Sequence, residues 1–309
     1  MHHLNELLKD DDLLFDIETT GLSAAYCHIY MIGLGYRKGD VVHIHLYYAR
    51  SKDEEKEILL KFSETAKEFN RLITFNGDTF DLPFLSKRFT ANHMVSDTKH
   101  LSSQDLFKTV KKYKHFLNLE HYKQKDIEQF LGIFREDTYN GGQLIEIYKK
   151  QALYPDDAEE DLLFLHNMED IKGLVYLLSI LDFSILENKE PLVHSITIDE
   201  KELSFQAVYE EPLNLSFSLL NEYGFFCIKE NSLYGSLKLY DHKLKYYLPN
   251  YKDYYYVEDE ELLLPKSLKH TIQKERIRKA KKEECFVLSD PNALSKEKLS
   301  VYIHQMFQN

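Results

Sequence analysis

The chain has 309 residues, 43% of them hydrophobic, and a formal net charge of −12. That length suffices for a substantial core and makes two domains the natural expectation. The acidic balance excludes a protein that grips nucleic acid through an all-over positive coat, though not one that holds it at a local site.

No run is long and uncharged enough to span a bilayer, and the opening MHHLNELLKDDD has no basic segment followed by an apolar core. A cytoplasmic protein without a membrane partner is therefore expected. Cys27, Cys227 and Cys285 lack the paired spacing of a zinc knuckle or a disulfide framework, and each reads as a buried or incidental thiol.

In chain order, Leu13 to Glu18 reads as a strand that ends in a turn at Thr20-Gly21. Ile29 to Arg37 and Val41 to Tyr48 are β-branched or aromatic runs separated by Lys38-Gly39-Asp40, a hairpin pattern. Between Asp53 and Phe69 the period changes. Ile58, Leu59, Phe62, Ala66 and Phe69 recur at helical spacing, so a helix is expected to cover the sheet. Arg71 to Phe75 returns to strand, and helical patterns follow at Leu82 to Phe89, Ile127 to Leu131, Gln143 to Leu153 and Asp157 to Leu181. Strands roofed by helices give an α/β layer fold.

Near Asn188-Lys189-Glu190-Pro191 the helical pattern stops. The two expected domains are residues 1–190 and 191–309. The second is smaller and β-rich, with short aromatic strands such as YYLPNYKDYYYV and a basic helix from Ser267 to Lys282.

The chemistry sits in the first domain. In FDIETTG, Asp16 and Glu18 share one strand face while Phe15 and Ile17 share the other. Two such carboxylates repel and lose hydration unless cations occupy the site or they lie past the core and face water. In NGDTFDLPFL, Asp81 stands at the threshold of a helix, as a ligand or as its cap. In HNMED, His166 and Asp170 are four residues apart and lie one above the other on a helix, as a functional pair or a stabilising contact.

Together, Asp16, Glu18, Asp81 and Asp170 form a set that could bind two divalent cations roughly 4 Å apart. Hard carboxylate oxygens suit Mg²⁺ or Mn²⁺, one ion activating an attacking water and the other stabilising a leaving 3′ oxygen. His166 would be the general base near that water, or the group that orients it.

These motifs, in this order, resemble the DnaQ-like exonucleases of ribonuclease H fold, the superfamily named for its four acids, DEDD. The resemblance is carried by FDIETTG, NGDTFDLPFL and HNMEDIKGL. Within the superfamily the chain is most similar to the YprB-like group of predicted exonucleases, through Asp105-Leu106, the LGIFR stretch at Leu131 to Arg135 and the HNxxD form of the last motif. It covers about residues 12 to 182.

The resemblance implies a mixed five-stranded sheet of order 3-2-1-4-5 with strand 2 antiparallel. It also implies hydrolysis of DNA or RNA from a 3′ end by two metals, and the leading expectation is a single-stranded end in the catalytic groove. The chain departs from the histidine-type enzymes, which place their His five residues before the last Asp. Here that position is Leu165, and His166 stands where tyrosine-type enzymes carry Tyr.

Asn76, Asp105 and Arg135 are the candidate substrate contacts, with a turn, a helix cap and a salt bridge as their respective alternatives. Asp78 is assigned to the turn. Lysines 108, 111, 112 and 114 around Tyr113, and the basic stretch from Lys266 to Lys282, could guide a strand or form solvated faces. The tyrosines between Tyr246 and Tyr256 read as packing more readily than as stacking platforms. Two other classes remain open: a nucleic-acid-binding module with a weak nuclease centre, and an interaction scaffold. The residues name no protein partner.

Overall fold

Alternation along Asp12–Thr19 (β1) puts Leu13, Phe15 and Ile17 on one face and Leu14, Asp16 and Glu18 on the other. The computed structural model describes residues 7–307 except 97, 152, 222 and 249; residues 1–6, part of the stretch read above as carrying no leader, lie outside it. β1 pairs antiparallel with β2 (Ile29–Lys38), which pairs antiparallel with β3 (Val41–Tyr48). The β2–β3 connection is the two-residue turn Gly39-Asp40, where Gly39 takes φ +63°, a left-handed conformation that costs glycine little.

A 3₁₀ turn at Lys52–Glu54 leads into α1 (Glu55–Ala66), then come β4 (Arg71–Thr74), α2 (Asp81–Ala91) and β5 (Ser102–Asp105). α3 (Leu106–Lys112), α4 (Lys114–Leu117), α5 (Gln124–Phe130) and α6 (Gly141–Gln151) precede the long α7 (Asp157–Leu177). α7 runs on as a 3₁₀ turn, Leu178–Asp182, into α8 (Phe183–Asn188). Among the described residues this sheet has five strands in the order β3-β2-β1-β4-β5, with β1, β4 and β5 parallel. Order and sense are those that the resemblance implies.

Leu13, Phe15 and Ile17 pack against Ile58, Leu59 and Phe62 of α1 and Phe84, Leu85 and Phe89 of α2. A buried ion pair lies at this layer's edge. Arg88 of α2 donates to both carboxylate oxygens of Glu55, at 2.8 and 2.6 Å, and to the Ala24 carbonyl at 3.0 Å. Glu55 also accepts the Ile29 amide and the Asn92 side chain, so its oxygens are well supplied with donors.

The opposite face of β1 and β2 is covered by α7. The helix comes so near that a Cβ at Gly33 would lie 2.2 Å from Asn167 Oδ1 and 2.9 Å from Ile171. A residue without a side chain is what brings the HNxxD segment onto the sheet.

Internal contacts divide the chain into residues 1–183 and 184–309. In the second unit β6 (Leu192–Ile198), β7 (Glu202–Val208), β8 (Ser216–Leu220), β9 (Gly224–Lys229), β10 (Ser232–Tyr240) and β11 (Lys243–Tyr247) form one antiparallel sheet with the late strand Phe286–Ser289. β12 (Tyr254–Val257), β13 (Leu262–Pro265) and β14 (Ile277–Lys279) form a small three-stranded sheet, and the late strand is β15. Tyr246 and Tyr302 stack with centroids 5.1 Å apart and Tyr247 is buried, so these rings serve packing.

The basic helix expected from Ser267 to Lys282 is corrected by the structure. That stretch is two 3₁₀ turns, Lys266–Thr271 and Lys274–Arg276, followed by β14 paired to β12. Cross-strand partners explain the outcome. Ile277 sits opposite Val257, Arg278 lies over the Tyr256 ring, and Arg276 and Arg278 pair with Asp259, Glu260, Glu258 and Glu284. These side-chain contacts across the sheet outweigh the helix propensity of Lys and Arg. The unit's long helix is instead α9 (Lys296–Phe307), which buries Leu299, Tyr302, Ile303 and Phe307.

Candidate active site

Three segments far apart in sequence converge beside β1. Asp16 and Glu18 leave its α7-facing side, Asp81 is the first residue of α2, and His166 and Asp170 project from α7. Glu18, His166 and Asp170 each offer a ligand atom within 4.8 Å of the others. His166 Nε2 lies 3.4 Å from Glu18 Oε1 and 3.2 Å from Asp170 Oδ2. Asp81 accepts the Ile17 amide at 3.3 Å, which ties the head of α2 to the strand between the two acids.

The electrostatics place Asp16 and Asp81 in the same field. Burial, then the charges of Asp170, Asp81 and Glu18, hold the Asp16 carboxyl well above its ordinary range. Burial pushes Glu18 up to about 7 against the opposing pull of His166, with Asp170 and Asp81 adding to the rise. Asp81 also reaches about 7, chiefly through burial, with its own amide and that of Ile17 opposing and Asp105 and Asp170 reinforcing. Neighbouring acids thus raise Asp16, Glu18 and Asp81 here.

Neighbours orient these acids. Asn167 Nδ2 donates to Asp16 Oδ2 at 2.7 Å, and its Oδ1 is buried without a hydrogen-bond partner among the described residues. Arg135 donates to Asp170 Oδ1 at 2.7 Å and to Glu128, whose carboxylate is almost wholly buried. Gln124 donates to the Asp170 carbonyl at 2.8 Å.

Of the three expected substrate contacts, each is held within the chain. Arg135 makes the salt bridges just described, its side chain only 7% exposed. Asp105 caps α3 by accepting the Phe107 amide, and accepts the Asn76 amide at 2.7 Å. Asn76 sits at φ 65° and its Oδ1 accepts from Thr79, which makes it a turn residue. Asp78 lies in that turn, bonded to Ser103 and Lys108. Lys111 lies over the Phe107 ring, Lys112 over Tyr113 and Lys114 over Tyr122.

Sequence reading gave no role to Asn167, Glu128, Lys125 or Asp137. Asn167 was within reach, because its neighbours His166 and Asp170 share its helix. Asp137 falls in an irregular stretch where no periodicity marks a face.

The family model RNase_H_2, of the RNase H superfamily, matches residues 13–182, over half of the 309-residue chain. The chain belongs to the RNase H superfamily. Its matched segment spans all the acids above, and the five-stranded mixed sheet with flanking helices is the superfamily domain's scaffold here. No curated protein matches the chain. Among solved structures 180 chains match. One is the family B DNA polymerase from the hyperthermophilic archaeon Pyrobaculum calidifontis, with 17% identity and a TM-score of 0.47. The match covers 57% of this chain and 25% of that one.

Proposed function

We propose that this RNase H superfamily chain is a metal-dependent 3′-5′ exonuclease that hydrolyses phosphodiester bonds of DNA or RNA at a single-stranded end. Superfamily membership supports nuclease chemistry on nucleic acid. The observation that carries the finer reading is the convergence of Asp16, Glu18, Asp81 and Asp170 beside β1: Glu18, His166 and Asp170 offer ligand atoms within 4.8 Å of one another, Asp81 is tied to the Ile17 amide, and the neighbouring charges raise Asp16. Such a set is costly by itself and fits divalent cations, whose charge offsets the repulsion.

Asp16, Glu18, Asp81 and Asp170 would hold two cations, Mg²⁺ or Mn²⁺, with hard oxygen donors suited to either. The cations supply positive charge where the phosphodiester and its leaving oxygen gain negative charge. The protein's own contributions are orientation and proton transfer. Asn167 fixes Asp16, Arg135 fixes Asp170, and His166 Nε2 accepts the proton of the attacking water. Residues 191–309 would then serve as an accessory or substrate-binding domain.

The test is purified full-length chain with Mn²⁺ or Mg²⁺ and oligonucleotides labelled at either end. Stepwise shortening from the 3′ end is expected, lost with chelator and lowered at least about a thousandfold in Asp16→Asn or Asp170→Asn. A folded chain that binds oligonucleotide yet cleaves none of the DNA and RNA substrates would make it a binding module instead.

A further inference from the structure

The second ring nitrogen of His166 points away from the acids. Its Nδ1 lies 2.6 Å from Oδ2 of Asp137, a side chain only 1% exposed. Asp137 comes from the irregular stretch between α5 and α6, and it is not free to turn. Its Oδ1 accepts the Tyr139 amide at 2.9 Å, and its Oδ2 also accepts Lys125 Nζ at 2.6 Å. Lys125 in turn donates to the Tyr139 carbonyl.

The backbone around Asp137 is held as well. The amides of Glu136 and Asp137 donate to the two carboxylate oxygens of Glu169, at 3.0 and 2.8 Å. Glu169 belongs to α7, one residue before Asp170. The helix that carries the histidine therefore also pins the loop that carries its partner.

Burial alone would raise the Asp137 carboxyl, but Lys125, the Tyr139 amide and His166 together hold it below its ordinary value. An ionised carboxylate only accepts hydrogen bonds. A neutral imidazole facing it must place its one proton on Nδ1, which leaves the Nε2 lone pair directed at Glu18 and Asp170. We infer that Asp137 is a positioning residue that fixes the ring plane and tautomer of His166, so that Nε2 meets the acid cluster as a proton acceptor. The inference deepens the proposed function, since it rests on the reading of His166 as the base.

In an ordinary structural ion pair the imidazolium carries both protons and has no tautomer, so which ring nitrogen keeps its proton in the neutral ring is what to measure. In the Asp137→Asn protein the Tyr139 amide keeps the amide oxygen, and the NH₂ then faces Nδ1 and drives the proton to Nε2. Long-range proton–nitrogen NMR of the ¹⁵N-labelled, cation-free full chain in the alkaline range, with His166→Asn to assign the ring, reads this directly. The expected result is an Nδ1–H ring in the wild type and an Nε2–H ring in Asp137→Asn.

On a labelled oligonucleotide, Asp137→Asn should lower kcat on the order of a hundredfold with KM changed less than about twofold. Added to His166→Asn it should cost nothing further, because the two act as one unit. An Nε2–H ring in the wild type, an unchanged kcat in Asp137→Asn, or losses that multiply in the double variant would each overturn the inference. Should Asp137→Asn fail to fold, the wild-type spectrum alone decides. A wild-type chain that cleaves no substrate sinks the exonuclease reading, while the spectrum still judges the Asp137–His166 geometry.

Discussion

The two faces of β1 do opposite work. On one, Phe15 is almost wholly buried and meets Phe62 with ring centroids 5.1 Å apart, an arrangement whose only product is stability. On the other, one residue further along, Asp16 sits among Asp81, Glu18 and Asp170 and is held well above its ordinary protonation range. The contrast shows that a strand with one strongly packed face can carry charge on the other that no isolated strand would tolerate.

The packed face should break most severely. Phe15→Ala removes a ring from between α1 and the sheet and should lower unfolding free energy by about 3–5 kcal/mol, read from urea denaturation. Nuclease activity measured well below the new melting temperature should survive, since the acids lie on the other side.

The acid face should show itself in a pH series. Glu18 and Asp81 hold their protons to about pH 7 in the fold, against ordinary values of 4.5 and 3.8, so across that window the folded chain binds more protons than the unfolded one. Cation-free stability should therefore fall as pH rises from about 4.5 to 7, by several kcal/mol. His28, which burial lowers from 6.5, acts in the opposite direction but as one group against several. Added Mn²⁺ should cancel the fall. A chelated protein equally stable at pH 5 and pH 7.5 would contradict the shared field.

Asp16→Asn, expected to lose nuclease activity, should gain stability of about 1 kcal/mol at pH 7.5 without cations, through relief of like-charge repulsion. Saturating Mn²⁺ should erase that gain by stabilising the wild type alone. The smallest change is Gly33→Ala. Its methyl meets the Asn167 amide, so calorimetry should show a loss of about 1 kcal/mol, with activity lowered severalfold as Asn167 is pushed off Asp16.

Much of the first unit was legible because its signals are periodic. The alternation in Leu13 to Glu18, the Gly39 turn and the 3.6-residue rhythm of α1 each name their element. β5 gave no such signal: Ser102–Asp105 is a polar strand at the sheet edge, recognisable only through its pairing with β4. The stretch after Lys266 misled because basic residues read as a solvated helix, whereas acids brought close by folding bind them in and beside a small sheet. For the site, the acids and His166 stood out by residue type, but Asp137 depends on a loop conformation that no local pattern encodes. Leu299, Tyr302, Ile303 and Phe307 also stand at helical spacing, a signal of α9 that sequence reading left unused.

The Glu55–Arg88 pair has a consequence at a distance. Arg88 and Asp81 ride on one helix seven residues apart, about 10 Å along a stiff rod. Clamping the far end to α1 and to the Ala24 carbonyl sets how far the near end can slide along the sheet. The carboxylate of Asp81 is thus gauged from the opposite end of its helix, and loosening Glu55 would blur the acid cluster without touching any of its members.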